Sequence, residues 1–223
     1  MTTAEDLQLL LVDPESGASQ IGSTENDAVL GGAILFDLVA ANRVALVGEG
    51  RKAKVEITDP APLADPLLEE SFARIRERRA AKPKDVVTRL GKKTRSSVPE
   101  ALVNTGALRR REAKALGLFP LTRFDIVDVA RREHLRSAVT DVLAGRRTAD
   151  ATTGPLIGLL SAAGLVKKVV PRADRKEAER RAKEVSEGDW ASEGVKQAIQ
   201  AAQAAMMAAV TAATAAGAAS SGS

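Results

Sequence analysis

The sequence predicts a mainly α-helical domain: a central helical bundle with surrounding amphipathic helices and one or two β-hairpins. Helical periodicity is the first reason, because apolar residues recur along 25–41 and 126–142 at the spacing of a buried or half-buried helix. Composition is the second. The 223 residues include four Phe, one Trp and no Tyr, so the core has to be built from Leu, Val, Ile and Ala, and Leu and Ala favour helices. Third, the strand-like runs are short and paired around turn residues. The length suits one large domain, which we place over residues 1–217, with a disordered tail at 218–223.

Each element follows from local chemistry. Residues 4–12 read as a short apolar helix stopped by Asp13-Pro14 and the turn residues Glu15-Ser16-Gly17. Thr24 reads as an N-cap for a helix over 25–41, whose apolar residues nearly surround the axis and mark it as the buried centre of the bundle. Gly31-Gly32 interrupts that helix at a cost of about 1 kcal/mol per glycine relative to Ala, which predicts a close helix neighbour. Asn42 ends it. Residues 43–47 and 51–57 then form a hairpin, and Asp65-Pro66 starts a helix reaching about Ala80.

A further helix follows Lys82-Pro83 to Gly91, and another spans 97–105 until Gly106 stops it. Two strands, 107–110 and 116–123, enclose a polar tip at Arg111-Glu112-Ala113-Lys114. Helices are expected at 125–143 and 152–163, and a highly charged, exposed one at 172–186. Residues 195–217 form an Ala-rich stretch with Lys196 as its only charge. Ala contributes little to membrane partitioning and Gln, Thr and Lys interrupt the run, so it reads as a helix rather than a span.

Catalysis finds little support. With no Cys, thiolate metal sites and cysteine nucleophiles are excluded, and the one histidine, His134, lies among Arg132, Glu133 and Arg136 on an exposed helix face. There is no HExxH spacing and no GxxxxGK[ST] loop, so no metal or cofactor is implied. Asp125 and Asp128 read as the acidic start of a helix rather than as an acid–base pair. Glu5 and Asp6 stand where a secretory leader would be basic, and the Leu7 to Val12 run is short, which points to a cytoplasmic chain.

The charge is strongly segregated. Residues 1–73 carry 4 basic and 13 acidic side chains, whereas 74–124 carry 15 basic and 4 acidic ones. Local charge sets the surface field, so the middle segment is where a polyanion would dock. Within it, Lys92-Lys93-Thr94-Arg95 follows the Gly91 turn just before a helix, where free N–H groups and the positive dipole end favour phosphate. Lys92 and Arg95, assisted by Arg89 and Lys93, are therefore the candidate anion-binding residues.

The order LQLLLVD, LGGAILFDLVAANRVAL at 30–46, TDPAPLADPLLEE at 58–70, PEALVNTGALRRREAKALGLFPLTR at 99–123 and EGDW at 187–190 resembles the Golgi phosphoprotein 3 family, especially its actinobacterial members, over about residues 4–205. The resemblance implies a helical bundle with a projecting β-hairpin and no catalytic activity. It also implies peripheral association with a membrane face, binding of phosphatidylinositol 4-phosphate, and gathering of client membrane proteins. The family's pocket carries a tryptophan and an arginine at positions that fall near Gly22 and on Gly31, and two further cations that fall on Lys92 and Arg95. Its contact hairpin corresponds to 108–119, where Leu116, Leu118 and Phe119 would meet membrane or a sister subunit.

The leading reading is thus a cytoplasmic, peripherally membrane-associated protein that binds anionic phospholipid headgroups. A winged-helix-like nucleic-acid binder is the alternative, because the 97–105 helix is followed by a ribbon bearing Arg109-Arg110-Arg111. Its weakness is a reading helix with few side chains for base edges and no exposed aromatic for stacking. A third reading is a scaffold whose hairpin binds another protein.

Overall fold

Helix α1 (Thr3–Leu11) begins with a reciprocal capping box. The Thr2 hydroxyl accepts from the Glu5 N–H at 3.2 Å and the Glu5 carboxylate accepts from the Thr2 N–H at 2.8 Å. The helix is buried from Ala4 to Leu11 and packs against α2 (Ser23–Ala40), α5 (Thr94–Asn104), α6 (Val129–Leu143) and α7 (Thr153–Ala162). Helix α2 lies beside it, and the Thr3 and Ala4 N–H groups donate to the Asp37 carboxylate at 3.1 and 3.3 Å. A carboxylate is well placed at a helix N-terminus, where it meets unsatisfied donors and the positive dipole end.

The computed structural model describes residues 1–48, 52–76, 80–115 and 119–187, with residues 200, 203, 204 and 207. Among these, nine α-helices and two antiparallel two-stranded sheets account for the fold, which is mainly α as the sequence predicts. One continuous apolar cluster runs from Ala4 in α1 to Val185 in α9 (Arg175–Glu187). Most of the expected Ala-rich C-terminal helix, Trp190, Leu116 and Leu118 lie outside the described residues.

The glycine pair in α2 has its neighbour. Helix α4 (Pro83–Leu90) crosses α2 at Gly31, where an added Cβ would lie 2.5 Å from the Val87 carbonyl oxygen and 2.9 Å from the Gly91 nitrogen. The relationship is mutual, since a Cβ on Gly91 would lie 2.4 Å from the Asp27 carbonyl oxygen. Backbones this close admit only glycine on both sides.

Several boundaries differ from expectation. Helix α2 starts at Ser23, capped by Gly22 without a side-chain bond, rather than behind a Thr24 cap. Helix α3 (Pro66–Ala73) is capped by Asp65, which accepts from the Leu68 N–H at 2.9 Å, but it ends before Ala80. Arg74 turns its guanidinium to the Leu90 and Lys92 carbonyls and to Glu70, while Arg76 stacks over Phe72 and pairs with Glu69. These contacts replace a continued helix. Helix α5 begins at Thr94, three residues early, because Lys93 adopts a left-handed conformation (φ 69°) and serves as its N-cap.

Strands β1 (Val44–Val47) and β2 (Lys54–Ile57) form the first hairpin. The second, β3 (Leu108–Ala115) with β4 (Phe119–Ile126), is longer than expected, so Arg111 to Lys114 are paired strand residues rather than the tip. Asp125 consequently belongs to β4. Only Asp128 caps α6, accepting from the Arg131 N–H at 2.9 Å. Helix α7 is anchored by Asp150, whose carboxylate accepts from the Thr152 and Thr153 N–H groups. The short α8 (Val166–Val169), which the sequence did not announce, leads through a 3-10 turn at Arg172–Asp174 into α9. That last helix is not wholly exposed: Ala178, Ala182 and Val185 form a buried stripe.

Candidate anion-binding surface

Helix α4 separates its faces cleanly. Val86, Val87 and Leu90 are buried, whereas Lys82, Lys84, Asp85, Lys92 and Lys93 are exposed and Arg89 is half-buried. No carboxylate among the described residues pairs with Lys82, Lys84, Arg89, Lys92 or Lys93. The turn that carries Lys92 is held from below, because its carbonyl accepts from the Arg74 Nη1 at 2.5 Å.

Arg95 is placed differently. Its Nε lies 3.1 Å from the Asp27 Oδ1 on α2, which also accepts from the Thr94 hydroxyl at 3.4 Å. Burial raises the Asp27 pKa, opposed by the Arg95 charge and by hydrogen bonds from Thr94 and Arg95. The contact engages one side of the guanidinium, and among the described residues no acceptor pairs with its Nη groups. Those groups belong to a side chain that lines a cavity of about 400 Å³ bounded by α1, the loop from α1 to α2, α5 and β4. Arg123 of β4 lines the same cavity, whereas Arg89, Lys92 and Lys93 do not.

The cavity wall is stitched from distant segments. Gly17, at φ 66°, accepts through its carbonyl from the Phe124 N–H at 2.9 Å, and the Ser16 carbonyl accepts from Arg111 at 3.3 Å. A Cβ on Gly17 would stand 3.0 Å from the Phe124 carbonyl oxygen, so close approach and conformation both require glycine. Neither Arg123 nor the cavity is visible in the local sequence signals.

Three of the hairpin arginines are held by carboxylates. Arg109 and Arg111 both pair with Asp125, at 3.2 and 2.8 Å, and Arg110 pairs with Glu100 at 3.0 Å. Hydrogen bonding from Arg111 is the main reason that the Asp125 carboxyl is held below its ordinary range. The family-aligned positions are equally informative. Gly22 stands at the start of α2 with open space around it, and Gly31 is buried in the α4 crossing, where no arginine fits. Phe119 opens β4.

His134 is exposed on α6, and among the described residues no group of three His, Asp or Glu side chains is placed to hold a metal. No helix of the described residues is long and apolar enough to cross a membrane. The fold and this surface define a class: a mainly helical domain with two small antiparallel ribbons, a cationic helix face and a separate arginine-lined cavity. The family model for Golgi phosphoprotein 3 (GPP34) matches residues 4–202, and the chain belongs to that family. No curated protein matches the chain.

Proposed function

We propose that the protein is a non-catalytic adaptor that associates peripherally with membranes by binding anionic phospholipid headgroups through Lys92 and Arg95, assisted by Arg89 and Lys93. One observation carries this reading: among the described residues Lys82, Lys84, Arg89, Lys92 and Lys93 have no carboxylate partner, whereas Arg109, Arg110 and Arg111 of the hairpin do. A basic side chain near an anionic bilayer contributes about 1 kcal/mol, so three or four suffice for reversible attachment. Gly22 and Gly31 supply neither an aromatic face nor a guanidinium, so net anionic charge, rather than the phosphate pattern of phosphatidylinositol 4-phosphate, governs affinity. The hairpin, including Leu116, Leu118 and Phe119, is the surface on which a client membrane protein or a sister subunit would dock.

The nucleic-acid alternative draws on the same positive charge but needs Arg109, Arg110 and Arg111, which are engaged with Asp125 and Glu100. Co-sedimentation tests the two together. Vesicles containing phosphatidylglycerol, phosphatidylinositol or its 4-phosphate, and zwitterionic vesicles, are compared with a duplex DNA shift at matched salt. The expected result is binding to every anionic vesicle and little to the zwitterionic one. DNA binding stronger than vesicle binding would replace this reading with the alternative.

A further inference from the structure

We infer that Arg74 is the positioning residue of the basic turn: its guanidinium bridges the Leu90 and Lys92 carbonyls and sets the direction in which Lys92 and Lys93 leave the end of α4. This role rests on the membrane reading above and names the residue that organises that surface. Arg74 stands 18 residues before Lys92, and no local signal in the sequence connects the two.

The carbonyls are the first argument. Helix α4 ends at Leu90, and a helix end leaves carbonyls without intrahelical donors. The Thr94 N–H and hydroxyl donate to the Gly91 carbonyl, and the Ser96 and Ser97 N–H groups donate to that of Lys93. Among the described residues, the Leu90 and Lys92 carbonyls therefore accept only from the Arg74 Nη1, at 3.3 and 2.5 Å. A cation placed there also meets the negative end of the helix dipole. Gly91, between the two, lies against α2, where an added Cβ would stand 2.4 Å from the Asp27 carbonyl oxygen. Three successive residues, Leu90, Gly91 and Lys92, are thereby pinned.

The state of Arg74 itself supplies the second argument. While Nη1 serves both carbonyls, Nη2 donates to the Glu70 Oε1 at 2.6 Å, one turn back on α3. The side chain is only 19% exposed, so its charge is engaged within the protein rather than offered to a bilayer. Lys92 and Lys93, by contrast, are exposed. Lys93 is also left-handed, at φ 69°, a conformation disfavoured for a residue with a side chain, so the turn needs an outside hold to keep it. Arg74 provides that hold through a planar fork whose two Nη groups reach three acceptors. A lysine carries the same charge but lacks the fork.

Hydrogen exchange and vesicle co-sedimentation of the full chain test this with Arg74→Lys, which keeps the charge, and Arg74→Gln, which does not. In the free protein both variants should exchange the amides of residues 91–97 about tenfold faster than wild type, while the core amides of α2 keep their wild-type protection. Both should bind phosphatidylglycerol vesicles about fivefold more weakly. In a background carrying Lys92→Gln and Lys93→Gln, Arg74→Lys should change vesicle binding by less than about twofold, because a residue that acts through those lysines has nothing left to position. The exchange measurement involves no lipid, so faster exchange in a chain whose wild type ignores anionic vesicles would support the hold on the turn and count against the membrane reading alone. Wild-type exchange in both variants would overturn the assignment. So would wild-type vesicle binding by Arg74→Lys, which would reduce the role of Arg74 to its charge, or an undiminished fivefold loss in the neutralised background, which would place its action elsewhere.

Discussion

Gly31 and Gly91 face each other where α2 and α4 cross, and a Cβ on Gly31 would stand 2.9 Å from the Gly91 nitrogen. The contact fixes α4, and with it the basic turn at Lys92 and Lys93, against α2. It also explains why a position that the family resemblance assigns to a pocket arginine is glycine here.

Substituting Gly31→Ala should therefore destabilise the fold by about 1–3 kcal/mol, despite the better helix propensity of Ala, because the backbones must separate. Gly91→Ala should do the same, with the Asp27 carbonyl only 2.4 Å from the added carbon. Gly22→Ser, in open space at an uncapped N-terminus, should change stability by no more than a few tenths of a kcal/mol, in the favourable direction. Urea denaturation midpoints check all three. Equal stability of Gly31→Ala and wild type would contradict the crossing.

Lys93 combines charge and backbone strain. Its left-handed conformation costs a non-glycine residue about 1 kcal/mol or more, so Lys93→Gly should raise the unfolding free energy by about that amount. The same substitution removes one free cation and should weaken vesicle binding about fivefold. Opposite movement of stability and affinity separates the charge from the scaffold. A variant that loses both has lost the turn itself.

Asp37 gives a pH signature with a definite sign. Burial raises its pKa to about 6, against hydrogen bonds from Thr3 and Ala4 that lower it. A carboxyl whose folded pKa exceeds its unfolded value of 3.8 binds protons more tightly in the native state. Its contribution therefore favours folding below about pH 4 and is lost as pH rises through 6. Asp37→Asn removes that dependence, so the stability of the variant relative to wild type should improve between pH 4 and 7. Groups with lowered pKa values, such as Asp13 and Asp150, act in the other sense and are common to both proteins. Denaturation curves at four pH values measure the difference, and parallel pH profiles would remove Asp37 from the account.

Asp27 sets how much of Arg95 is available. Removing its charge in Asp27→Asn leaves the Nε contact as a neutral hydrogen bond and raises the local positive potential. Binding to phosphatidylglycerol vesicles should tighten severalfold at neutral pH, with a steeper salt dependence. Weaker binding would mean that the carboxylate is needed to hold Arg95 in place rather than merely competing for it.

The sequence made the helices legible because their determinants are local. Asp65 before Pro66, Asp128, and Asn42 or Gly106 at a helix end act within a few residues. The glycine pair in α2 likewise announced a close neighbour. The candidate surface was legible only as charge density. Whether an arginine is free depends on partners far away in sequence: Asp27 for Arg95, Asp125 for Arg109 and Arg111, Glu100 for Arg110. The cavity draws Gln8, Asn26, Arg95 and Arg123 from four separate segments, and no spacing rule connects them. The second hairpin exceeds the expected length for the same reason, since strand pairing extends through charged residues such as Arg111 and Glu112, paired with Arg123 and Thr122.

Charge reversal at the end of α4 is the most direct measurement. Lys92→Glu with Lys93→Glu alters two exposed side chains that pair with no carboxylate among the described residues, and Arg109→Glu with Arg110→Glu provides the control on the hairpin. The account predicts that the α4 pair lowers binding to phosphatidylglycerol vesicles by about a hundredfold or more at moderate salt, while the hairpin pair changes it only a few-fold. Undiminished binding by the Lys92 and Lys93 variant, in a chain that still unfolds at the wild-type midpoint, would contradict it.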